Sequence, residues 1–325
     1  MTTAISRRAA LLALAAGAQA ALAQSAAGYP DKVVKIIAPY PPGGFNDTLS
    51  RIVANHLQQT FKQSVVVDNK SGGGTVIGTQ AAAMQPADGY TILETAFPFA
   101  VNEFIYPHLP YDRRKDFTPL ILAGRSPLVL VVPADSPFKS VADLVKAAKA
   151  KPGRLNYGSA GVGASNHLAT ELFADVAGIE LNHVPFKGGS PTMTALAGGQ
   201  LDMAIDLVPN ALPLIQAGKI RALAVTEAKR AAAVPDAPTI AEALGTKFNV
   251  VTWHGFAVRA GTPREVVDRL NKEINAVLDL PEARKTFASQ GVEPVGGSAA
   301  EFAKFLDEQS ALWKPVIDKN GIRAD

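Results

Sequence analysis

The chain has 325 residues, no cysteine, 47% hydrophobic residues and a formal net charge of +3. A chain without cysteine has no disulfide staple, thiolate metal site, cysteine nucleophile or lipid-modified cysteine. The charge excess is too small for a nucleic-acid footprint, and no run of lysine and arginine is dense enough to track phosphates.

Residues 1–23 read as a targeting segment. Arg7-Arg8 is a short basic region, Ala9 to Ala23 is apolar, and Ala21-Leu22-Ala23 is a small-x-small cleavage site before Gln24. The run is too short to cross a bilayer. The expectation is a signal peptide cleaved near Ala23-Gln24 and a mature chain free in the periplasm, with no membrane anchor. Ser6-Arg7-Arg8 leaves export by the Sec or the twin-arginine route open. Cleavage removes two arginines and no acid, which lowers the net charge from +3 to +1. The remaining length suits two domains of ordinary size.

Strands and helices then alternate. Val33 to Ala38 is a continuous apolar strand, as in a sheet covered on both faces. Pro41-Pro42-Gly43-Gly44 turns the chain, and Asp47 to Phe61 is a helix with Leu49, Ile52, Val53 and Leu57 on one face. Ser64 to Asp68 is a strand, Thr75 to Met84 a helix and Tyr90 to Glu94 a strand. This βαβαβ order predicts a parallel open sheet. A second unit starts at the strand Leu128 to Val132. It continues with a helix at Val141 to Ala150, a strand at Leu155 to Gly158 and a helix at Asn166 to Gly178. Leu181 to Pro185 is a strand, Met193 to Gly198 a helix, and Asp202 to Asp206 and Ala222 to Val225 are strands. Val250 to Val258 is a strand around Trp253. The tail is helical at Pro263 to Leu278, Pro281 to Gln290 and Ala299 to Asn320, with Phe302, Phe305 and Trp313 as core anchors.

A helical tail without strands of its own returns to the first unit. The predicted organisation is therefore α/β, with residues 24–130 plus 253–325 as one lobe and 131–252 as an inserted lobe. Two crossing strands, near 128–132 and 250–257, join them. Glycine-rich loops ahead of helices recur at Gly43-Gly44, at Gly72-Gly73-Gly74 and at Gly158 to Gly163. Each lies beyond the carboxyl end of a strand, where ligands sit in open parallel sheets. Glycines crowd backbone N–H groups together, and helix starts leave N–H groups unpaired, so such corners hold anions without lysine or arginine. One such loop is an ordinary turn; three facing one cleft point to an anion held between lobes that hinge shut.

From about Tyr29 to its end the chain resembles the Bug-type extracytoplasmic solute receptors of tripartite tricarboxylate transporters. The resemblance rests on motifs in order. They are Pro42-Gly43-Gly44 with Asp47 and Arg51, Asn69 before Gly72-Gly74, Pro86-x-Asp88-Gly89-Tyr90-Thr91 and Asp116-Phe117-Thr118-Pro119. Gly158-Ser159-Ala160-Gly161 with His167-Leu168, Pro185-Phe186-Lys187-Gly188, Gly199-Gln200-Leu201-Asp202 and Gly261-Thr262-Pro263 follow. The resemblance implies a type II periplasmic-binding-protein fold, two Rossmann-like lobes joined by two crossing strands. It implies capture of a small carboxylate and transient docking to inner-membrane transporter subunits; a monomer is the default for a flexing two-lobed receptor that docks a membrane partner, and no cofactor or metal is expected. It places Gly44, Phe45, Asn46, Asp47, Gly73, Gly74 and Thr75 against the carboxylate. Ser159, Ala160, Gly161, Ser165, Asn166, His167, Lys187, Gly188, Asp206 and Leu207 close over the other end. Where family members carry small or polar residues, this chain has Phe45, and it has Ala96-Phe97-Pro98-Phe99 where they run to a histidine. These aromatics at the cleft favour an aromatic or largely apolar carboxylate.

Blander readings stand beside these. Asp47 suits a helix-start cap, His167 a packed histidine, Lys187 a solvated loop and Asp206 a turn cap before Pro209. His254, next to Trp253, reads as hinge packing. No His-x-x-x-His pair suggests a metal. A secreted hydrolase is the alternative class, but Ser159 has Tyr157 where a nucleophile elbow needs glycine. No His-Glu-x-x-His, dinucleotide fingerprint or phosphate-loop lysine is present. A periplasmic sensor feeding a signalling receptor would use the same binding chemistry.

Overall fold

The computed structural model describes residues 28–324, so the targeting segment lies outside the described residues. β1 (Val34–Ala38), α1 (Phe45–Phe61), β2 (Val65–Asn69), a single helical turn at Gly73–Thr75, α2 (Val76–Ala83), β3 (Thr91–Ala96) and α3 (Pro98–Ile105) open the fold. β1 pairs in parallel with both β2 and β3, which is the expected βαβαβ unit. The short α4 (Arg113–Asp116) leads into β4 (Phe117–Pro133), followed by α5 (Val141–Ala150), β5 (Asn156–Ser159) and α6 (Ser165–Ala177). β6 (Asn182–Pro185), α7 (Gly189–Ala197), β7 (Met203–Leu207), α8 (Val208–Gln216), β8 (Ile220–Val225), α9 (Ile240–Leu244) and β9 (Val251–Arg259) complete the middle of the chain. The tail is α10 (Arg264–Leu278), α11 (Pro281–Ser289), β10 (Glu293–Pro294) and α12 (Ala299–Lys319).

The main strand order is β2-β1-β3-β9-β4-β7-β5-β6. β4 is the strand that both lobes share. Its residues Phe117 to Pro127 run antiparallel to β9, whereas Leu128 to Val131 pair with β7 and Val129 to Pro133 with β8. The strand expected from sequence starts at Leu128 and lacks this first half. Pro119 and Pro127 explain the miss, since a proline inside an apolar run argues against a central strand. Here Pro119 adjoins a register shift, and Pro127 stands where the strand exchanges one set of partners for the other. Thr226 clasps this crossing. Its hydroxyl donates to Val250 O at 2.8 Å and accepts from Leu128 N at 2.8 Å, and its own N–H reaches Leu128 O.

The helical tail packs where its apolar spacing directs it. Leu49, Val53 and Leu57 recur every fourth residue on α1 and meet Val266, Leu270 and Ile274 of α10 over Ile36, Ile92 and Phe256. Burying each such side chain stabilises the fold by roughly 1.5–3 kcal/mol. On the other sheet face, Trp253, Phe302 and Trp313 form one cluster with Leu130, Phe173 and Met203, so a single apolar core backs both lobes. A capping box between Ser298 and Glu301 starts α12, and Lys319 at its end pairs with Asp175 on α6.

Candidate functional site

Helix starts divide into two kinds. α4, α5, α9 and α12 are capped by the side chains of Asp112, Ser140, Thr239 and Ser298. The six helices that follow the carboxyl ends of β1, β2, β3, β5, β6 and β7 have no N-cap side chain, and neither do α10 and α11 in the tail. In the first lobe this leaves donors open. α1 begins at Phe45 rather than Asp47, with Gly44 as its N-cap, and the N–H groups of Phe45, Asn46 and Asp47 lie in its first turn. Gly72, Gly73, Gly74 and Thr75 all have positive φ, the last at 78°. A β-branched residue is rarely found there, at a cost on the order of 1–3 kcal/mol. Asn102, buried and unnoticed in the sequence, holds this turn by donating to Gly74 O at 2.9 Å.

The second lobe differs. Its loop amides already have acceptors: Ala160 N meets Asn166 Oδ1, Gly161 N meets Ser159 Oγ, Gly163 N meets His167 Nδ1, Gly188 N meets Ala160 O and Leu207 N meets Asp206 Oδ1. These five loop amides are tied down, whereas the uncapped starts of α6, α7 and α8 keep first-turn N–H groups without an intrahelical acceptor.

The two lobes face each other across two cavities. One, of about 420 Å³, has Gly44, Phe45, Asn46 and His254 on one wall and Leu207 and Asn210 on the other. The second, of about 470 Å³, has Tyr40, Gly74 and Thr75 opposite Ala160, Gly161 and Gly163. No lysine, arginine, aspartate or glutamate lines either one. Both volumes suit a small organic acid.

Of the residues singled out from sequence, Gly44, Phe45, Asn46 and Leu207 line the first cavity and Gly74, Thr75, Ala160 and Gly161 the second. The others do not line them. Asp47 turns back to accept from Gly43 N, Asn69 and Arg51, and these bonds outweigh burial to hold its carboxyl below the usual range. Gly73 is exposed, Ala96 is buried opposite His254 and Ser165 opens α6. Asn166 and Asp206 are buried and bonded to each other at 3.1 Å. Asp206 also accepts from Asn210, so this knot ties α6 to α8 although burial pushes its carboxyl up. Lys187 is exposed and Gly188 caps α7.

Phe97 does not face the cleft. It is 2% exposed and meets Trp313 edge-on at 5.3 Å, and Phe99 meets Phe117 the same way at 5.4 Å. The aromatic case for the ligand therefore shrinks to Phe45, whose ring stands edge-on to His254 at 4.6 Å and to Phe287 at 5.4 Å.

Ser159 Oγ lies 2.7 Å from His183 Nε2, a pair the sequence hid by 24 residues. It is no nucleophile and base. The serine is fully buried, and its hydroxyl already donates to Gly161 O and accepts from Gly161 N. His167 stacks on His183 behind the loop.

Sequence reasoning also missed Glu94. Its side chain is fully buried at the cleft end of β3 and accepts from Asn46 Nδ2 at 2.7 Å. Burial pushes this carboxyl up, and Glu94 in turn helps raise the Tyr40 phenol, after burial of the phenol itself. A lone glutamate inside an apolar strand, at Thr91-Ile92-Leu93-Glu94-Thr95-Ala96, was the available signal.

A family model described as the tripartite tricarboxylate transporter family receptor matches residues 49–322. The chain belongs to this family. As a receptor of this kind it is a solute-binding protein and not an enzyme. The receptor is 40% identical over 315 residues to the UPF0065 protein in the tcbD-tcbE intergenic region of Pseudomonas sp. strain P51, covering 97% of this chain and 94% of that one. It is 35% identical over 301 residues to Protein BugT of Bordetella pertussis, covering 92% of each. Among solved structures it superposes on R. palustris Rpa4515 with adipate at a TM-score of 0.81 and 36% identity, covering 91% of this receptor and 100% of that chain. The periplasmic binding protein BugD follows at 0.78 and 31%, with the same coverage. MatC from Rhodopseudomonas palustris with bound malate matches at 0.75 and 27%, covering 89% and 100%. These neighbours carry the type II periplasmic-binding architecture that the sequence implied.

Proposed function

We propose that this receptor works in the periplasm, captures a small carboxylate between its lobes and hands it to inner-membrane transporter subunits. The observations that carry the reading are the open first turn of α1 and the Gly72-Thr75 turn, each at an inter-lobe cavity without an ionic side chain. Amides in such a corner replace the water around a carboxylate at little cost. The lobes are residues 24–130 with 253–325, and 131–252. The first grips the anion, and the second closes over it through Ala160, Gly161 and Leu207. The ligand is a small aliphatic dicarboxylate; adipate in one relative and malate in another support that class. The receptor acts as a monomer after removal of its signal peptide.

Calorimetric titration with mono- and dicarboxylates of graded length tests this. Saturable binding of at least one acid, with a ligand-induced rise in melting temperature, is the expected result. A protein that binds none, yet binds a neutral or cationic solute, refutes it.

A further inference from the structure

Asn46 sits in the first turn of α1, among the open amides, and lines the 420 Å³ cavity. Its side-chain amide nitrogen points inward, donating to Glu94 Oε1 at 2.7 Å and standing 3.1 Å from His254 Nδ1, which accepts when the ring proton is on Nε2. Glu94 Oε1 accepts from this amide, and with the ring proton on Nε2 so does His254 Nδ1. In that arrangement, turning the amide over would set its oxygen against two acceptors. Glu94 and His254 therefore fix which end of Asn46 the cleft meets, and that end is the carbonyl oxygen Oδ1. Among the described residues Oδ1 has no hydrogen-bond partner. Phe45 closes edge-on over His254 and keeps the ring in place. The strand beneath is rich in acceptors as well, for Glu94 Oε2 is buried with no partner.

We propose that Asn46 selects among carboxylates, with Glu94 and His254 as its positioning residues. The preferred ligand then carries a hydrogen-bond donor, a hydroxyl or an ammonium, close to the carboxylate held by the α1 amides. This rests on the carboxylate-receptor reading and narrows it. A plain acid brings only acceptors and leaves Oδ1 unpaired when the cleft shuts, whereas a donor-bearing acid satisfies both halves of the corner. Sites that hydrogen-bond a substituent discriminate strongly against ligands lacking it.

Calorimetry with matched sets tests the idea: succinate, malate and aspartate; adipate, 2-hydroxyadipate and 2-aminoadipate; phenylacetate, mandelate and phenylglycine. Within the set that binds, a donor-bearing acid is expected to bind at least about tenfold tighter than its unsubstituted partner. The hydroxyl and amino arms identify the donor. In Glu94→Leu, which frees the Asn46 amide to turn, that ratio falls towards one, whereas Glu94→Gln offers an amide oxygen to Asn46 and retains it. Asn46→Ala, at a half-buried position, also brings the ratio towards one and keeps the test alive if Glu94→Leu does not fold. Equal or tighter binding of unsubstituted acids by the wild type, or a ratio that survives Asn46→Ala, overturns the selection role while leaving the receptor reading intact. Binding of no acid at all overturns both.

Discussion

His183 lies flat on His167, with ring centroids 4.0 Å apart and planes 10° from parallel. Tyr157, whose phenol bonds to Glu171, stacks on His183 at 4.8 Å. Burial lowers His167 to about 3, helped by His183, and burial lowers His183 to about 4, against an ordinary value of 6.5. Both rings are thus neutral in the fold at pH values where an unfolded chain would protonate them. The unfolded state then binds more protons, so the stability due to this pair is complete above about pH 6.5 and is lost as pH falls towards 4 and 3. The limiting slope is about 1.4 kcal/mol per pH unit for each ring, and the total is smaller for His183, whose pKa falls less and whose ring solvent partly screens. Urea unfolding of wild type and of His167→Gln/His183→Asn from pH 8 to 5 isolates the pair from Glu94, Glu171 and Asp206. Burial pushes those carboxyls up, so they act in the opposite direction. The wild-type midpoint should fall relative to the double variant below pH 6.5. A constant difference across the range would contradict the neutral stack.

Gly44 has φ −82° and open space where a side chain would begin. Gly44→Asp should fold normally and place a negative charge beside the α1 amides. Like charges set together cost several kcal/mol, so carboxylate affinity should drop by about 100-fold or more with the ligand-free melting temperature unchanged. Wild-type affinity in this variant would place the anion elsewhere.

Thr226 joins Leu128 and Val250 where the strands cross. Thr226→Val keeps the shape and leaves Leu128 N and Val250 O without this partner. The cost should be about 1–3 kcal/mol in urea denaturation. A variant as stable as wild type would show that the clasp contributes nothing.

Phe45 and Phe97 should separate cleanly. Phe97→Ala opens a hole against Trp313 and should cost about 3–5 kcal/mol of stability while the order of preference among ligands stays the same. Phe45→Ala should instead alter that order at a smaller cost in stability. Similar ligand profiles in the two variants would contradict the placement of these rings.

Local features were the most legible. The glycine turns and the spacing of Leu49, Val53 and Leu57 are short-range signals, and the structure puts the turns at strand ends and that face against α10. Prolines misled: Pro119 and Pro127 hid half of β4, and Pro209 and Pro213 hid α8, where the first stands in the opening turn and the second inside the helix. Direction was not legible. Whether Phe97 faces ligand or core depends on Trp313, more than 200 residues away, and nothing in its neighbourhood encodes that. Glu94, Asn46 and His254 meet only through the pairing of β3 with β9 and the seating of α1 above them. The loop amides of Ala160 and Gly163 read as free because the side chains that occupy them, Asn166 and His167, read equally well as ligand contacts.

Both cavity walls lack ionised side chains, and this bears on how the receptor tolerates its surroundings. Dissolved ions weaken attraction between fixed charges over roughly 8–10 Å at moderate ionic strength. A lysine-lined pocket would loosen as salt rises, whereas short hydrogen bonds from a rigid main chain offer mobile ions little to shield. A receptor that holds its proposed anion this way should bind it with nearly the same affinity in dilute and in concentrated salt.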